Sequence, residues 1–389
     1  MRSEILNNED TNRIKAMWKY CFGDSDDFTE WFFEDKYKPS NTLGIRRDGH
    51  VISNLQMVPY TVSCRNTDIP SAYIVGVATL PEARNHGHMG VLIQDALQVM
   101  KERGILLSPL YPFQYGFYRK YGWEICYNQL LYNLPLEKLS VFKGKKGHFK
   151  PICWEKDIPL LAKAYDRFME GYTGHIRRKP KDWTARGREH SLDGGYGYLA
   201  LEGDQPTGYL LYHLKENVFE VDEMVYTSDE AKYQWLSFIF SHSSQVEKCS
   251  WISPSDDKTY LTMEDARGNV LMNPSAMLRI VDVEALLTLL PVPKDIEGSI
   301  DIKITDDCAP WNQRVFFIHA RGGKMRIQPL DTQNWDLELS IGVLTQIILG
   351  FITPSQVAAM GKSVACSWEA LCFLESLFPG QKTFLYEMY

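Results

Sequence analysis

A chain of 389 residues, 44% hydrophobic and 23% charged, is too long for one ordinary core and reads as two or three globular domains. Its net charge of −7 argues against nucleic acid as the main partner and suits a cationic small-molecule or peptide partner. The eight cysteines are scattered, with no C-x-x-C pair and no zinc spacing, and neither a signal-peptide pattern nor a membrane-length apolar run is present; a reduced, cytoplasmic protein without membrane association is expected.

In chain order, amphipathic patterns predict helices over residues 11–22 and 26–37, the second rich in aromatics (Phe28, Trp31, Phe32, Phe33). Strand patterns follow at 43–47, 51–58, 60–65 and 71–80, then a helix over 87–103 with Leu92, Ile93, Ala96, Leu97 and Met100 on one face. That helix closes with Lys101, Arg103 and Gly104, a cationic last turn and a glycine stop. Strands are expected at 105–111 and 126–132. The basic, glycine-containing stretch 143–150 reads as a linker. A second α/β pattern has helices at 158–172 and 230–243 and strands at 196–202, 206–213 and 219–226. A third region, from Leu290-Pro-Val-Pro293, has strands at 298–305, 314–319 and 336–341, a helix at 342–349, and a further helix opened by the Thr353-Pro354 cap. The last residues, Phe384-Leu-Tyr-Glu-Met-Tyr389, form an apolar, strand-like end that is expected to be tied down.

The most informative stretch is Val75-Gly-Val-Ala-Thr-Leu-Pro-Glu-Ala-Arg-Asn-His-Gly-His-Met-Gly90. An apolar strand breaks at Pro81, crosses a short loop and enters a helix at a glycine, which aims several backbone N–H groups at one point, as an anion site requires. It lacks G-x-x-x-x-G-K-S/T and G-x-G-x-x-G, so it is neither a P-loop nor a dinucleotide fingerprint. Arg84-x-x-Gly87 instead follows the R/Q-x-x-G-x-G/A pattern of acyl-CoA-dependent N-acyltransferases: Arg84 meets a phosphate as a charged fork and Gly87 lets the backbone approach. Acyl transfer also needs an acid for the departing thiolate. Tyr118, in a loop about thirty residues on, is a candidate, because a phenol of pKa ~10 is protonated at neutral pH; it equally reads as a tyrosine that packs its ring. His86-x-His88 lacks the further His or Cys neighbours that a metal site needs, and no metal is expected. Asp26, Asp27 and Trp31 suit an acidic, aromatic acceptor pocket, while Asp26 also suits a helix cap.

Gly76–Gly90, Leu110-Tyr-Pro-Phe113 and Phe117-Tyr-Arg-Lys-Tyr-Gly-Trp123 together resemble the Eis-like (enhanced intracellular survival) N-acetyltransferases, a branch of the GNAT superfamily. The resemblance implies an α/β (α+β) fold of two tandem GNAT-type domains followed by a sterol-carrier-protein-like α/β domain. The boundaries would be 1–145 with the acetyl-CoA site, 146–289 without a cofactor, and 290–389 supplying the C-terminal carboxylate. It implies an acetyl-CoA-dependent N-acetyltransferase acting on cationic small molecules, aminoglycosides among them, or on lysine-like amines, and a homo-hexamer. Carried over by residue, Val77, Ala78 and Thr79 would pair with the pantetheine arm. Arg84, Asn85, His86, Gly87, His88, Met89 and Gly90 would hold the pyrophosphate, and Pro112 and Phe113 would line the channel near the thioester. Tyr118 would be the general acid and the Tyr389 carboxylate the general base. Family loops often carry several arginines where this chain has Asn85 and His86, which shifts weight to backbone donors. Two other classes stay open: a non-catalytic acyl-CoA-binding or regulatory protein, and a lipid carrier acting through residues 290–389.

Overall fold

The computed structural model describes residues 2–365 and 367–388. It is a mixed α/β chain with three sheets, divided into two compact units. One unit comprises the residues up to Tyr127, Thr173–Arg177, and those from Ser275 on; the other comprises Asn128–Tyr172 and Arg178–Pro274.

The first unit begins with strands β1 (Glu4–Ile5), β2 (Thr42–Arg47), β3 (His50–Cys64), β4 (Thr67–Thr79), β5 (Leu107–Leu110) and β6 (Glu124–Ile125). Strands β2 to β4 are joined by two-residue hairpins at Asp48-Gly49 and Arg65-Asn66, and all four residues have positive φ, between 50° and 80°. This is the turn class whose twist matches paired strands. Helices α1 (Thr11–Phe22), α2 (Asp26–Asp35), α3 (His88–Glu102) and the short α4 (Tyr115–Arg119) cover the sheet. α3 buries Leu92, Ile93, Ala96, Leu97 and Met100 in one core with Leu43, Ile45, Leu55 and Met57 of the sheet. Residues 51–58 and 60–65, expected as two strands, are one. Pro59 lies past the last β2 pair, Thr42 with Gln56, where β3 has no β2 neighbour and a missing N–H is tolerated.

The second unit holds β7 (Asn128–Pro135), β8 (His148–Pro151), α5 (Ile158–Met169), α6 (Pro180–Leu192), β9 (Tyr196–Glu202), β10 (Gln205–Lys215), β11 (Val218–Tyr226), α7 (Asp229–Phe240), β12 (Lys248–Pro254) and β13 (Val270–Pro274). Its sheet runs β13-β7-β12-β11-β10-β9-β8. The basic stretch 143–150 is therefore not all linker: His148–Pro151 pairs antiparallel with β9 and closes one edge of the sheet.

The chain then returns to the first unit. β14 (Met277–Ile280) inserts between β5 and β6, antiparallel to both, so the first sheet runs β1-β2-β3-β4-β5-β14-β6. α8 (Val283–Leu289) follows, then β15 (Gly298–Thr305), β16 (Val315–Arg321), β17 (Lys324–Leu330), β18 (Leu337–Ser340), α9 (Ile341–Leu349), α10 (Pro354–Ala359), β19 (Ser363–Ala365) and α11 (Trp368–Leu377). Their sheet has the order β17-β16-β15-β18-β19. α9 is buried along its whole length, capped by the Ser340 hydroxyl at its start and by Gly350 (φ 82°) at its end. The buried Arg65 guanidinium donates to the carbonyls of Ile348 (2.6 Å) and Pro379 (2.8 Å), which joins the β3–β4 hairpin to the end of that helix. Arg279 on β14 is fully buried and meets both Asp306 carboxylate oxygens at 2.7 and 2.6 Å; it also donates to the Tyr121 carbonyl.

Candidate active site

The site starts where β4 and β5 part. The two strands share a single ladder pair, Ser71 with Leu107; past it the Ser108 hydroxyl donates to the Ala72 carbonyl at 3.0 Å, and no further β5 pair is made. On its other side β4 stays zipped to β3 through a bulge between the Gln56–Val75 and Asn54–Ala78 pairs. Gly76 sits in that bulge at φ +61°, and a Cβ there would lie 2.5 Å from the Trp18 ring, so only glycine fits. The parted edge of β4, at Val77–Thr79, therefore lines a cleft, with the Ala78 carbonyl taken by the Ser53 hydroxyl and the Thr79 carbonyl by Arg84 and Cys21.

From Thr79 the chain makes one 3-10 turn (Pro81–Ala83), passes Asn85 and Gly87 in the left-handed region (φ 64° and 75°), and enters α3. No side chain caps α3 and no acid occupies its first turn, so its leading N–H groups point outward with the positive end of the helix dipole. The buried His88 ring is turned the other way, its Nδ1 2.8 Å from the Ala83 carbonyl, which pins the turn. Arg84 is exposed and spends Nε on the Thr79 carbonyl at 3.2 Å, leaving the rest of its fork to face solvent.

The far wall is aromatic. Phe113, Phe117, Tyr118 and Tyr121 pack ring on ring at 5.2–5.9 Å. Tyr118 is 6% exposed, and burial alone pushes its phenol up to about 12. The cleft between these walls has a volume of about 680 Å³. Among the residues singled out from the sequence, Val77, Ala78, Thr79, Arg84, Asn85, Gly87, His88, Met89, Gly90, Phe113 and Tyr118 line it. His86 and Pro112 flank it in sequence without lining it. Asp26 and Asp27 are exposed on α2, where Asp26 pairs with Lys19 at 2.6 Å, and Trp31 is buried against Phe28 and Phe32; none of the three lines the cleft. The cap of α2 is Ser25, not Asp26. Tyr389 lies outside the described residues. The segment before it is buried through Phe384–Tyr386, and the Tyr73 hydroxyl on β4 donates to the Glu387 carbonyl at 3.3 Å. Cys21, Phe22, Ala83, Phe117 and Tyr121 also line the cleft and were not singled out as site residues. For Phe117 and Tyr121 the signal was present: they lie one and three residues from Tyr118, Phe117 beside it on α4 and Tyr121 in the turn that follows.

The second unit repeats part of this plan and blocks the rest. β11 and β12 pair in parallel only from Val218 to Glu220, as β4 and β5 do at their base. Here, however, the Trp235 Nε1 donates to the Val225 carbonyl at 3.1 Å, and α7 is capped by its own Ser228 with Asp229 and Glu230 in the first turn. A self-capped, acidic helix start offers nothing to a phosphate.

Three known domain families match successive stretches of the chain. Residues 4–126 and 174–280 each match an acetyltransferase (GNAT) domain family, and residues 283–386 match a sterol carrier protein domain family. The chain is similar over its whole length to a GCN5-related N-acetyltransferase from Anabaena variabilis, at 24% identity and a TM-score of 0.87, covering 100% of both chains. It is similar to a probable N-acyltransferase from Enterococcus faecalis, at 21% identity and 0.90, covering 100% of this chain and 99% of that one. It is also similar to Eis1 from Mycobacterium abscessus, at 20% identity and 0.79, with the same coverage. A comparison with curated protein sequences finds no match. Fold and domain families together define a tandem GNAT acetyltransferase carrying a sterol carrier protein domain. The chain carries two GNAT acetyltransferase domains and a sterol carrier protein domain, and its fold is similar over its whole length to that of Eis1. No helix among the described residues is long and apolar enough to cross a membrane.

Proposed function

We propose that the chain is an acetyl-CoA-dependent N-acetyltransferase for amines of cationic small molecules or lysine-like acceptors, with one working site per chain, in the first domain. The observation that carries this reading is the pairing of an open strand edge with an uncapped helix start across one cleft. Val77–Thr79 would take the amide-bearing pantetheine arm as an added strand, while Arg84 and the N–H groups of Gly87–Met89, next to Gly90, would take the pyrophosphate. The thioester then lies toward Phe113 and Tyr118. The acceptor amine, once deprotonated, attacks the thioester carbonyl; the C–N bond forms, the C–S bond breaks, and the Tyr118 hydroxyl stabilises the departing sulfur. For the base, the family resemblance puts forward the carboxylate of Tyr389, and for the assembly a homo-hexamer. The net charge of −7 suits a cationic acceptor.

The test is to incubate the full chain with acetyl-CoA and a panel of amines (polyamine, aminoglycoside, lysine peptide) and to follow free thiol. Amine-dependent thiol release that falls in Tyr118→Phe supports the reading. Acetyl-CoA binding with no release for any amine would make the chain a binding protein. Absence of acetyl-CoA binding, with uptake of a fluorescent fatty acid that a chain cut before residue 290 lacks, would make it a lipid carrier.

A further inference from the structure

The start of α7 in the second unit is self-capped, yet this unit gathers a cluster of ionisable side chains where α6 meets β10 and β11. His190, in the last turn of α6, is fully buried; its Nε2 lies 3.0 Å from the Tyr196 carbonyl and its Nδ1 lies 2.9 Å from Asp222 Oδ2. A carbonyl only accepts, so Nε2 carries the hydrogen. Nδ1 of a neutral ring then turns a lone pair toward an ionised carboxylate at hydrogen-bond distance. That arrangement needs a cation between the two atoms.

His213 on β10 supplies the third group. Its Nδ1 is 3.2 Å from Asp222 Oδ2, while its buried Nε2 has no hydrogen-bond partner among the described residues. The two rings meet at 4.8 Å, and the three donor atoms lie within 4.8 Å of one another. Small side-chain rotations would bring them to the ~2.0–2.2 Å bond lengths of a zinc-type ion. The surrounding charge also asks for a cation. Glu223 is held by Arg178 at 2.8 Å and Arg186 at 3.0 Å, and Arg186 reaches Glu189 at 3.1 Å. Asp222 has a guanidinium nitrogen of Arg186 at 3.8 Å, a longer contact than those Arg178 and Arg186 make with Glu223.

We propose that His190, His213 and Asp222 form a site for one divalent first-row transition ion of the zinc, cobalt or nickel type. Two imidazoles and a carboxylate are a donor set for such ions, and the Tyr196 carbonyl fixes the His190 ring as an outer partner of a ligating histidine does. The donors come from a helix and two neighbouring strands, which hold the geometry. Asp222 is 27% exposed, which gives the ion an entry path and room for water. Gly195 keeps the place open, since a Cβ there would stand 2.3 Å from the His190 ring. The ion would tie α6 to β10 and β11.

The experiment titrates the metal-stripped full chain with Co²⁺ and records its visible absorption and stoichiometry. One equivalent should bind with ligand-field bands and without thiolate charge transfer, and Zn²⁺ should displace it. His213→Gln and Asp222→Asn should each weaken binding at least tenfold, while far-UV circular dichroism stays that of the parent. Thiolate charge transfer, no uptake, or uptake unchanged in the His190→Gln/His213→Gln/Asp222→Asn triple variant would overturn the proposal; the cation at His190 is then a proton.

Discussion

Replacing Tyr118 by phenylalanine removes one hydroxyl and leaves the ring packed between Phe113 and Phe117, at 5.6 and 5.3 Å. In the structure the phenol's raised pKa of about 12 comes from burial alone, with no hydrogen bond to lower it. A thiol of ordinary pKa ~8.5 releases its proton some three to four powers of ten more readily. Under the proposed mechanism, full proton transfer to the leaving sulfur would thus be uphill, and the hydroxyl would act chiefly by donating a hydrogen bond to a developing thiolate. Such a bond to a charged acceptor is worth about 1.5–3 kcal/mol, or roughly a 10- to 150-fold loss of kcat. That lies at or below the lower end of the range of about 10²–10⁴ for general acids. KM for acetyl-CoA should stay near its parent value, because the interaction belongs to the transition state. Stability gives a second readout. A phenol whose folded pKa lies above the unfolded ~10 contributes stability that is complete below pH 10 and is lost as pH rises toward 12. The phenylalanine variant lacks that alkaline loss, so its unfolding midpoint should overtake the parent's across that window and match it near pH 7. Steady-state kinetics with thiol detection and denaturant melts at pH 7, 10 and 11.5 check both parts. A kcat within about twofold of the parent would refute the role of the hydroxyl.

Three further outcomes are expected. Gly76→Ala should cost about 1–3 kcal/mol in a denaturant melt and weaken acetyl-CoA binding, because its Cβ would meet the Trp18 ring at 2.5 Å and Gln56 at 2.7 Å in a left-handed bulge. Asp306→Ala, which strands the buried Arg279 charge, should cost about 3–5 kcal/mol; the Arg279→Met/Asp306→Leu pair should recover only part of this, because the Asp306 carboxylate also accepts from the Cys308 and Ala309 N–H groups and the Asn312 amide, and a single variant no worse than the pair would contradict this. Arg84→Gln should weaken acetyl-CoA binding about tenfold at low salt through loss of one charge-assisted contact, with the gap shrinking as ionic strength rises, measured by calorimetry at two salt concentrations.

What could be read from the chain follows the range of the forces involved. The strand at Gly298–Thr305 and the cap at Thr353-Pro354 were legible because alternation and capping are local. The anion loop was legible for the same reason: its strand, loop and helix are one continuous stretch. The parting of β4 from β5 was not, since it depends on Ser108 taking the Ala72 carbonyl across the gap between strands. β14 was invisible because Met277–Ile280 is four residues long and its partners lie more than 150 residues away. The His190–His213–Asp222 cluster escaped for a like reason: no two of its members fall at a metal-ligand spacing, and only the fold brings them together.

The position of β14 also bears on how the molecule is made. Because Met277–Ile280 lies between β5 and β6, the sheet that carries the cleft stays unfinished until the chain has been synthesised past residue 280. From the synthesis of β6 until that of β14 the first domain would present two unpaired strand edges, a state in which chains seek foreign strands. Shortened forms that stop before residue 277 should therefore aggregate rather than yield a free-standing N-terminal enzyme, and refolding should be slow for the size of that domain.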